Sequence, residues 1–355
     1  MLPPGSTIGI LGGGQLGRML AVAAAQLGYR TLIYSPEEHS VAAEVSAGWV
    51  NSGWHDAAAL AAFAGECDTI TWEFENVPTG PLAAVTAKLA APLRALEVAQ
   101  DRLAEKRFVA ELGGTPAPFA PVDSPGDLPA ALAQVGTPAI LKTRRDGYDG
   151  KGQWRIDAAN AADALDLPDA PLICEGRVAF DAEFSVILAR GRDGDLRFWD
   201  SAHNVHRDGM LVTSALPAPA SVREQVAEAR ALSARVAEAL GYVGVLTLEF
   251  FATPQGPVFN EIAPRVHNSG HWTIEGAATS QFAGHIRAIC GLPPGATNTV
   301  AERIELRNIV GADALDPWHW LEGADIHLHL YGKREAAEGR KMGHATRLWR
   351  GAGAA

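Results

Sequence analysis

Cysteine is scarce in this chain of 355 residues: Cys67, Cys174 and Cys290 are far apart, odd in number and never in a CxxC spacing. That excludes a disulfide framework and a cysteine zinc site, and it fits a reducing compartment. Basic charge is also in deficit. Lysine and arginine total 30 against 41 aspartates and glutamates, a net charge of −11, whereas a surface for nucleic acid or an anionic membrane needs the opposite balance. No cationic leader with an apolar h-region is found and no apolar run reaches membrane length, so a cytoplasmic protein with no membrane or nucleic-acid partner is expected. Internal repeats and low-complexity tracts are missing too. What remains, 47% hydrophobic residues over this length, suffices for two or three globular domains.

The most informative stretch is 246–272. Residues 246–251 and 258–262 are aromatic and branched, and Pro254 and Gly256 mark a hairpin between them. Each strand carries one carboxylate in an apolar setting, Glu249 and Glu261. With the turn centred on Gln255 the two face each other, and like charges so placed call for a cation between them. Mg²⁺ bridging substrate phosphates is the simplest such cation. The other register leaves one carboxylate in solvent. Directly behind this hairpin Arg265, His267, Asn268, Ser269 and His271 fall within seven positions, too polar for a core and too irregular for an amphipathic face. A loop of that kind on a rigid scaffold is where ligand chemistry sits.

Near the start, a strand over 6–11 runs into Gly12-Gly13-Gly14-Gln15-Leu16-Gly17 and a helix with Leu16, Met19, Leu20, Ala23 and Leu27 on one face. This GxGxxG predicts a turn whose backbone N–H groups hold phosphate. A dinucleotide site also wants an acid closing the second strand, and 30–34 instead runs into Ser35-Pro36, which disfavours NAD. A strand over 69–72 ends in Glu73-Phe74-Glu75-Asn76, at the carboxyl edge where open α/β sheets bind ligands, though ordinary loop acids are an equal reading. Asp101 caps a helix. From Lys142 to Gly152, three glycines and four cations occupy eleven residues, a loop suited to covering a polyphosphate but without Walker spacing. A solvated hairpin turn is the alternative there. Ser221 and Glu224 predict a capping box for a helix running to Leu240. His203 and His206 fall in a strand pattern unsuited to a metal, and His327 with His329 reads as a solvated strand face. A cationic turn, Lys333, Arg334, Arg340 and Lys341, precedes the last strand.

The segments DRLAEK, LKTRRDGYDGKGQW, GYVGVLTLEFF and NEIAPRVHNSGHW, in this order behind GGGQLGRM, resemble the ATP-grasp enzymes, and more closely the N5-carboxyaminoimidazole ribonucleotide synthetase family of purine synthesis. The likeness covers nearly the whole chain. It implies a mixed α/β (α+β) fold. A Rossmann-like domain over 1–98 would precede an ATP-grasp domain over 99–295, with its lid-bearing part at 99–174 and its central sheet and metal site at 175–295. A small β-rich domain over 296–355 would follow. It implies an ATP-dependent carboxylation of 5-aminoimidazole ribonucleotide (AIR) by bicarbonate through carboxyphosphate, with one or two Mg²⁺ ions, Mn²⁺ as their substitute, no biotin, and a homodimer.

By the same resemblance, Arg102 and Lys142 contact nucleotide phosphates, and Glu175, Gly176, Arg177 and Val178 form the adenine hinge. Glu183 holds the ribose, His206 and Asn260 line the nucleotide pocket, and Glu249 and Glu261 ligate magnesium. The loop with Gly147, Tyr148, Asp149, Gly150, Lys151 and Gly152 closes over the triphosphate, and Tyr148, Asp149 and Lys151 lie near carboxyl transfer. Arg265 is our choice for holding bicarbonate or its phosphorylated form, and His267 and Asn268 are expected with it among the catalytic residues. Gln15, Leu16, Glu73, Asn76, Ser269, Lys333, Arg340 and Lys341 hold AIR. The cationic turn departs from the family pattern by one missing basic residue and one added position, and an end soon after His344 makes an abbreviated last domain the expectation. Competing readings are a formate-dependent glycinamide ribonucleotide transformylase, an NAD-dependent oxidoreductase, which leaves Glu249 and Glu261 without a role, and a non-catalytic nucleotide-binding module.

Overall fold

The computed structural model describes residues 1–147, 152–158 and 167–351. Among these, three sheets form. The first is parallel, with strands in the order Gly48–Asn51, Arg30–Ser35, Thr7–Leu11 and Thr69–Trp72. Thr7–Leu11 is central and almost fully buried, so its short apolar run needs no alternation. Helix Gln15–Gln26 follows it directly and buries Leu16, Leu20 and Ala23 of the expected face, with Met19 and Leu27 only partly buried against the same core and Ala21 and Ala24 buried in addition. Asp56 caps the next helix, Ala57–Glu66, by accepting the Ala59 N–H.

A second, antiparallel sheet orders Phe119–Val122, Leu172–Gly176, Ala139–Thr143 and Gln153–Ile156, and helix Leu128–Val135 closes its small core. The third sheet is large. Its path is Gly256–Ala263, Gly244–Thr253, Ala182–Arg190, His203–Arg207, Met210–Leu216, Arg303–Val310, Lys341–Trp349 and Ile326–Leu330, with Leu196–Phe198 paired to Ala182–Arg190. The chain is thus of the mixed α/β class expected.

Helix Gln281–Cys290 joins the first and third sheets. Its His285 accepts the Val245 N–H at Nδ1 (3.0 Å), which leaves Nε2 to reach Thr71 Oγ1 of the first sheet at 2.8 Å. Burial pushes that imidazole down to about 4, so it is neutral at pH 7. Gly284 is there for space, since a Cβ would stand 2.7 Å from the buried Trp199 ring.

Two expectations are corrected here. Pro219, not Ser221, takes the cap position of a short helix, Ala220–Arg223, and the longer helix starts afresh as Val226–Ala239, so no capping box forms. His329 is not on a solvated face: it is half-buried, pairs with Glu275, and stacks on His344 at 4.6 Å, which in turn lies 4.8 Å from His271. Tyr331 Oη completes the set at 2.9 Å from His344 Nδ1. The last hairpin is therefore fastened to the loop behind Arg265 by buried rings.

Candidate active site

A cleft of about 1020 Å³ lies over the hairpin formed by Gly244–Thr253 and Gly256–Ala263. The turn is Pro254-Gln255, closed by Thr253 opposite Gly256, not one centred on Gln255. From that pair an unbroken ladder sets Asn260 opposite Glu249 and turns Glu261 to the other face, because side chains alternate. The register shifts between Leu248 and Phe250, so that Leu248 faces Ile262 and both Asn260 and Glu261 lie across from Glu249. One extra residue, a β-bulge, brings the two glutamates into one cleft.

Burial and the facing Glu261 push Glu249 up to about 7. Arg102 Nη1 stands 3.3 Å from Glu261 Oε2. His267 Nε2 stands 3.1 Å from Glu249 Oε1, while the Ser269 N–H donates to His267 Nδ1, which places the imidazole proton on Nε2 facing Glu249. Burial, then Arg265, hold this imidazole well below its ordinary value. Two hard carboxylates with Asn260 beside them fit a divalent ion that completes its shell with water and phosphate oxygens. No group of three or more His, Cys, Asp or Glu side chains with metal-site geometry occurs among the described residues, which disfavours a closed structural site.

Ser269 is corrected. It is 1% exposed and faces away from the cleft, with its hydroxyl 2.8 Å from His267 Nδ1 and 2.9 Å from Ser185 Oγ, which accepts from Asn204 Nδ2. Its role is to hold His267. The backbone of His267 is held as well: its N–H donates to Gln281 Oε1 (2.9 Å) and its carbonyl accepts from Gln281 Nε2 (2.6 Å).

The glycine turn is the second correction. Gly14 N–H and Gly17 N–H donate to Oε1 and Oε2 of Glu73 at 2.9 and 3.1 Å, so an internal carboxylate occupies the position expected for phosphate. A Cβ on Gly12 would stand 2.6 Å from Glu73 Cγ, which is why glycine is needed there. Burial raises Glu73 and the two N–H groups offset this in part. Gln15, Leu16, Glu73 and Asn76 line the cleft beside it. A Glu73→Ala substitution orphans both N–H groups and is expected to cost about 1–3 kcal/mol in denaturant unfolding, with Glu73→Gln intermediate; equal stability of all three proteins would refute the plug.

Arg265 lines the same end. Its Nε and Nη2 donate to Oε2 and Oε1 of Glu75 at 2.5 and 2.7 Å, and Nη1 donates to the Val266 carbonyl at 3.1 Å. Burial opposes the Glu75 charge, but Arg265 more than offsets it and keeps Glu75 below the usual carboxylate range. Glu75 stands in the strand-end segment marked in the sequence, but no role was expected of it. Across the cleft, Lys333, Arg340 and Lys341 all line the wall despite the altered turn, with Lys333 Nζ donating to the Lys341 carbonyl at 2.8 Å.

At the opposite end Phe180 and Phe251 stack at 4.6 Å, with Ile140 and Leu211 also in the wall, forming an apolar slot next to the Glu183–His206 pair (2.7 Å). Burial lowers His206, but Glu183 and the fields of Glu249 and Glu261 outweigh it and raise the imidazole. Lys142 lines the cleft and donates to Glu175 Oε2 at 2.9 Å. Glu175 itself lies behind the wall, with Lys106 Nζ 3.2 Å from the same oxygen. Burial opposes its charge, yet the two lysines bring it down to about 2. Gly176, Arg177 and Val178 are likewise not among the lining residues. Gly147 lines the cleft and accepts from Arg102 Nη2, and Gly152, at φ +66, closes the loop base by accepting the Thr143 N–H. Tyr148, Asp149, Gly150 and Lys151 lie outside the described residues.

Lys106 and Glu105 were also missed, although both stand in the DRLAEK segment. Glu105 is 2% exposed and pushed up to about 8 by burial.

An apolar slot, a lysine–arginine wall and paired carboxylates on a hairpin, held between two antiparallel sheets, define an ATP-grasp protein, and the ATP-grasp domain family matches residues 107–282. The ribonucleotide synthetase preATP-grasp domain matches 5–100 and the phosphoribosylaminoimidazole carboxylase C-terminal domain matches 306–352. The chain belongs to the N5-carboxyaminoimidazole ribonucleotide synthase family. The synthase of Brucella melitensis is 49% identical, with 98% of this chain and 97% of the relative covered. The crystal structure of the synthetase from Thermus thermophilus is 45% identical with a TM-score of 0.90 over 98% of this chain and 95% of that one. A synthase from Aspergillus clavatus solved in complex with ADP and 5-aminoimidazole ribonucleotide is 29% identical, TM-score 0.90, over 97% and 94% of the two chains.

Proposed function

We infer that the protein uses ATP to carboxylate 5-aminoimidazole ribonucleotide with bicarbonate, giving N5-carboxyaminoimidazole ribonucleotide, ADP and phosphate. The observation that carries this reading is the placement of Glu249, Glu261 and Arg265 in one cleft, with an apolar slot at one end and a basic wall at the other. In this assignment the slot of Phe180, Phe251 and Ile140 takes the adenine, and Glu183 with His206 takes the ribose. Lys142 and Arg102 face the phosphates, and Glu249 and Glu261 hold magnesium. That ion, when bound, neutralises charge on the transferring phosphoryl group.

Bicarbonate is a poor electrophile, and its activation as carboxyphosphate depends on positioning and on fixed positive charge. Arg265 supplies such a charge: Glu75 and the Val266 carbonyl fix three of its N–H groups, so little reorganisation accompanies binding of the anion. His267 and Asn268 stand beside it. The AIR amine then attacks the activated carbon, with Gln15, Leu16, Glu73, Asn76 and the basic residues Lys333, Arg340 and Lys341 holding its ribose and phosphate. Tyr148, Asp149 and Lys151 complete this reading at the carboxyl-transfer step. It also carries one or two magnesium ions, no biotin, a homodimer, a cytoplasmic setting, and domain limits at 1–98, 99–295 and 296–355.

Bicarbonate labelled with heavy oxygen tests it. Rapid ADP release is expected only with AIR and bicarbonate together, and one labelled oxygen should appear in inorganic phosphate. Unlabelled phosphate would sink the carboxyphosphate route, and ADP release indifferent to AIR would sink the substrate.

A further inference from the structure

The bulge that brings Glu261 round to Glu249 lies on an edge strand, and a strand edge presents unpaired N–H and C=O groups that must find partners elsewhere. Helix Arg102–Glu111 provides them. Glu105 Oε1 accepts the Ile262 N–H at 2.5 Å, and Lys106 Nζ donates to the Asn260 carbonyl at 3.1 Å. These two groups belong to the two peptide units on either side of the Glu261 Cα, so the helix pins the backbone before and after the bulged residue. Arg102, one turn earlier on the same helix, meets the Glu261 carboxylate itself. Lys106 is 1% exposed, and its ammonium sits 5.8 Å over the ring of Phe259, whose own N–H donates to the Thr115 carbonyl. The edge is therefore sealed along the bulge.

We propose that Glu105 and Lys106 are positioning residues that hold the bulge and thereby set Glu261 beside Glu249 as a metal-binding pair. The proposal rests on the reading of Glu249 and Glu261 as the magnesium ligands. An alternation argument gives its force: a regular ladder from the Pro254-Gln255 turn turns Glu261 away from Glu249, and the backbone groups on either side of the shifted residue, the Asn260 carbonyl and the Ile262 N–H, are the ones that Lys106 and Glu105 hold. A purely sealing role predicts loss of stability and no effect on how magnesium and nucleotide bind together.

Calorimetric binding of ADP, measured with excess Mg²⁺ and again in EDTA, separates the two. Glu105→Met removes the acceptor at nearly constant volume, and Glu105→Gln keeps an acceptor oxygen on a side chain that cannot ionise. Glu105→Met is expected to weaken ADP binding in Mg²⁺ about tenfold or more and to leave binding in EDTA within about threefold, and Glu105→Gln is expected to recover most of the Mg²⁺-dependent part. Should Glu105→Met fail to fold, Lys106→Met, which frees the Asn260 carbonyl, is read by the same ratio. Equal weakening in Mg²⁺ and EDTA, or a fall in melting temperature with unchanged affinities, overturns the proposal, as does a Glu105→Gln protein no better than Glu105→Met. A parent protein whose ADP affinity ignores Mg²⁺ overturns instead the metal assignment on which it rests.

Discussion

Glu261→Gln is expected to lower turnover by about 10²–10³-fold, the scale of losing one preorganised charged group at a phosphoryl-transfer centre. Its melting temperature should stay within a few degrees of the parent's. The two outcomes separate because the Glu261 side chain is 39% exposed and meets one cation, Arg102 at 3.3 Å, a pair worth little to stability in partly solvated surroundings. Against that loss stands relief of the repulsion that, after burial, raises Glu249. Steady-state ADP release beside a thermal melt checks both halves. A fully active variant would remove Glu261 from the site.

Glu175→Ala is expected to do the reverse, with stability the larger effect. It strands Lys106 and Lys142, 1% and 8% exposed, without their shared anion, and breaking a buried pair by removing one partner costs about 3–5 kcal/mol. A fall in melting temperature of roughly 5–15 °C should follow, and MgADP should return part of it because ligand binding stabilises the folded form. The parent's pH dependence has a definite sign. Glu175 is depressed to about 2 from its ordinary 4.5, so its stabilisation is complete above 4.5 and disappears as pH falls towards 2. The amount is about 3 kcal/mol. Between pH 7 and 3 the gap between urea melts of parent and variant should narrow to about half, the narrowing beginning below pH 4.5; a constant gap would mean that the two lysines find other partners.

How far the sequence could be read is clearest in the hairpin. Alternation, aromatic content and the Pro254–Gly256 turn identify both strands, and the isolation of Glu249 and Glu261 among apolar neighbours marks the site. The bulge was not legible, because nothing within the hairpin calls for it: its partners, Glu105 and Lys106, lie 157 and 154 residues from the atoms they hold. Distance also hid the occupant of the glycine turn. Strand, turn and helix are local features and were found, whereas the choice between a phosphate and the carboxylate of Glu73 depends on a residue 59 positions away from Gly14. Ser269 shows a shorter-range failure. In an irregular loop, neighbouring polar residues divide between ligand and support, and His267 faces the cleft while Ser269 backs it. The altered basic turn still brings Lys333, Arg340 and Lys341 to the wall, since buried rings anchor the strands that flank it and leave the turn itself free to vary.

The extra residue at Asn260-Glu261 opposes folding and function at a single point. Deleting it gives a more regular ladder with fewer backbone groups in need of outside partners, and such a protein could be as stable as the parent or more so. Removal of Asn260 would leave Glu261 opposite Glu249 without the amide beside them, and removal of Glu261 would leave Asn260 there and Glu249 as the one carboxylate of the pair. The ladder has room for one residue opposite Glu249 and the bulge makes room for two, so a shorter strand loses one of the three oxygen donors Glu249, Asn260 and Glu261 whichever residue goes.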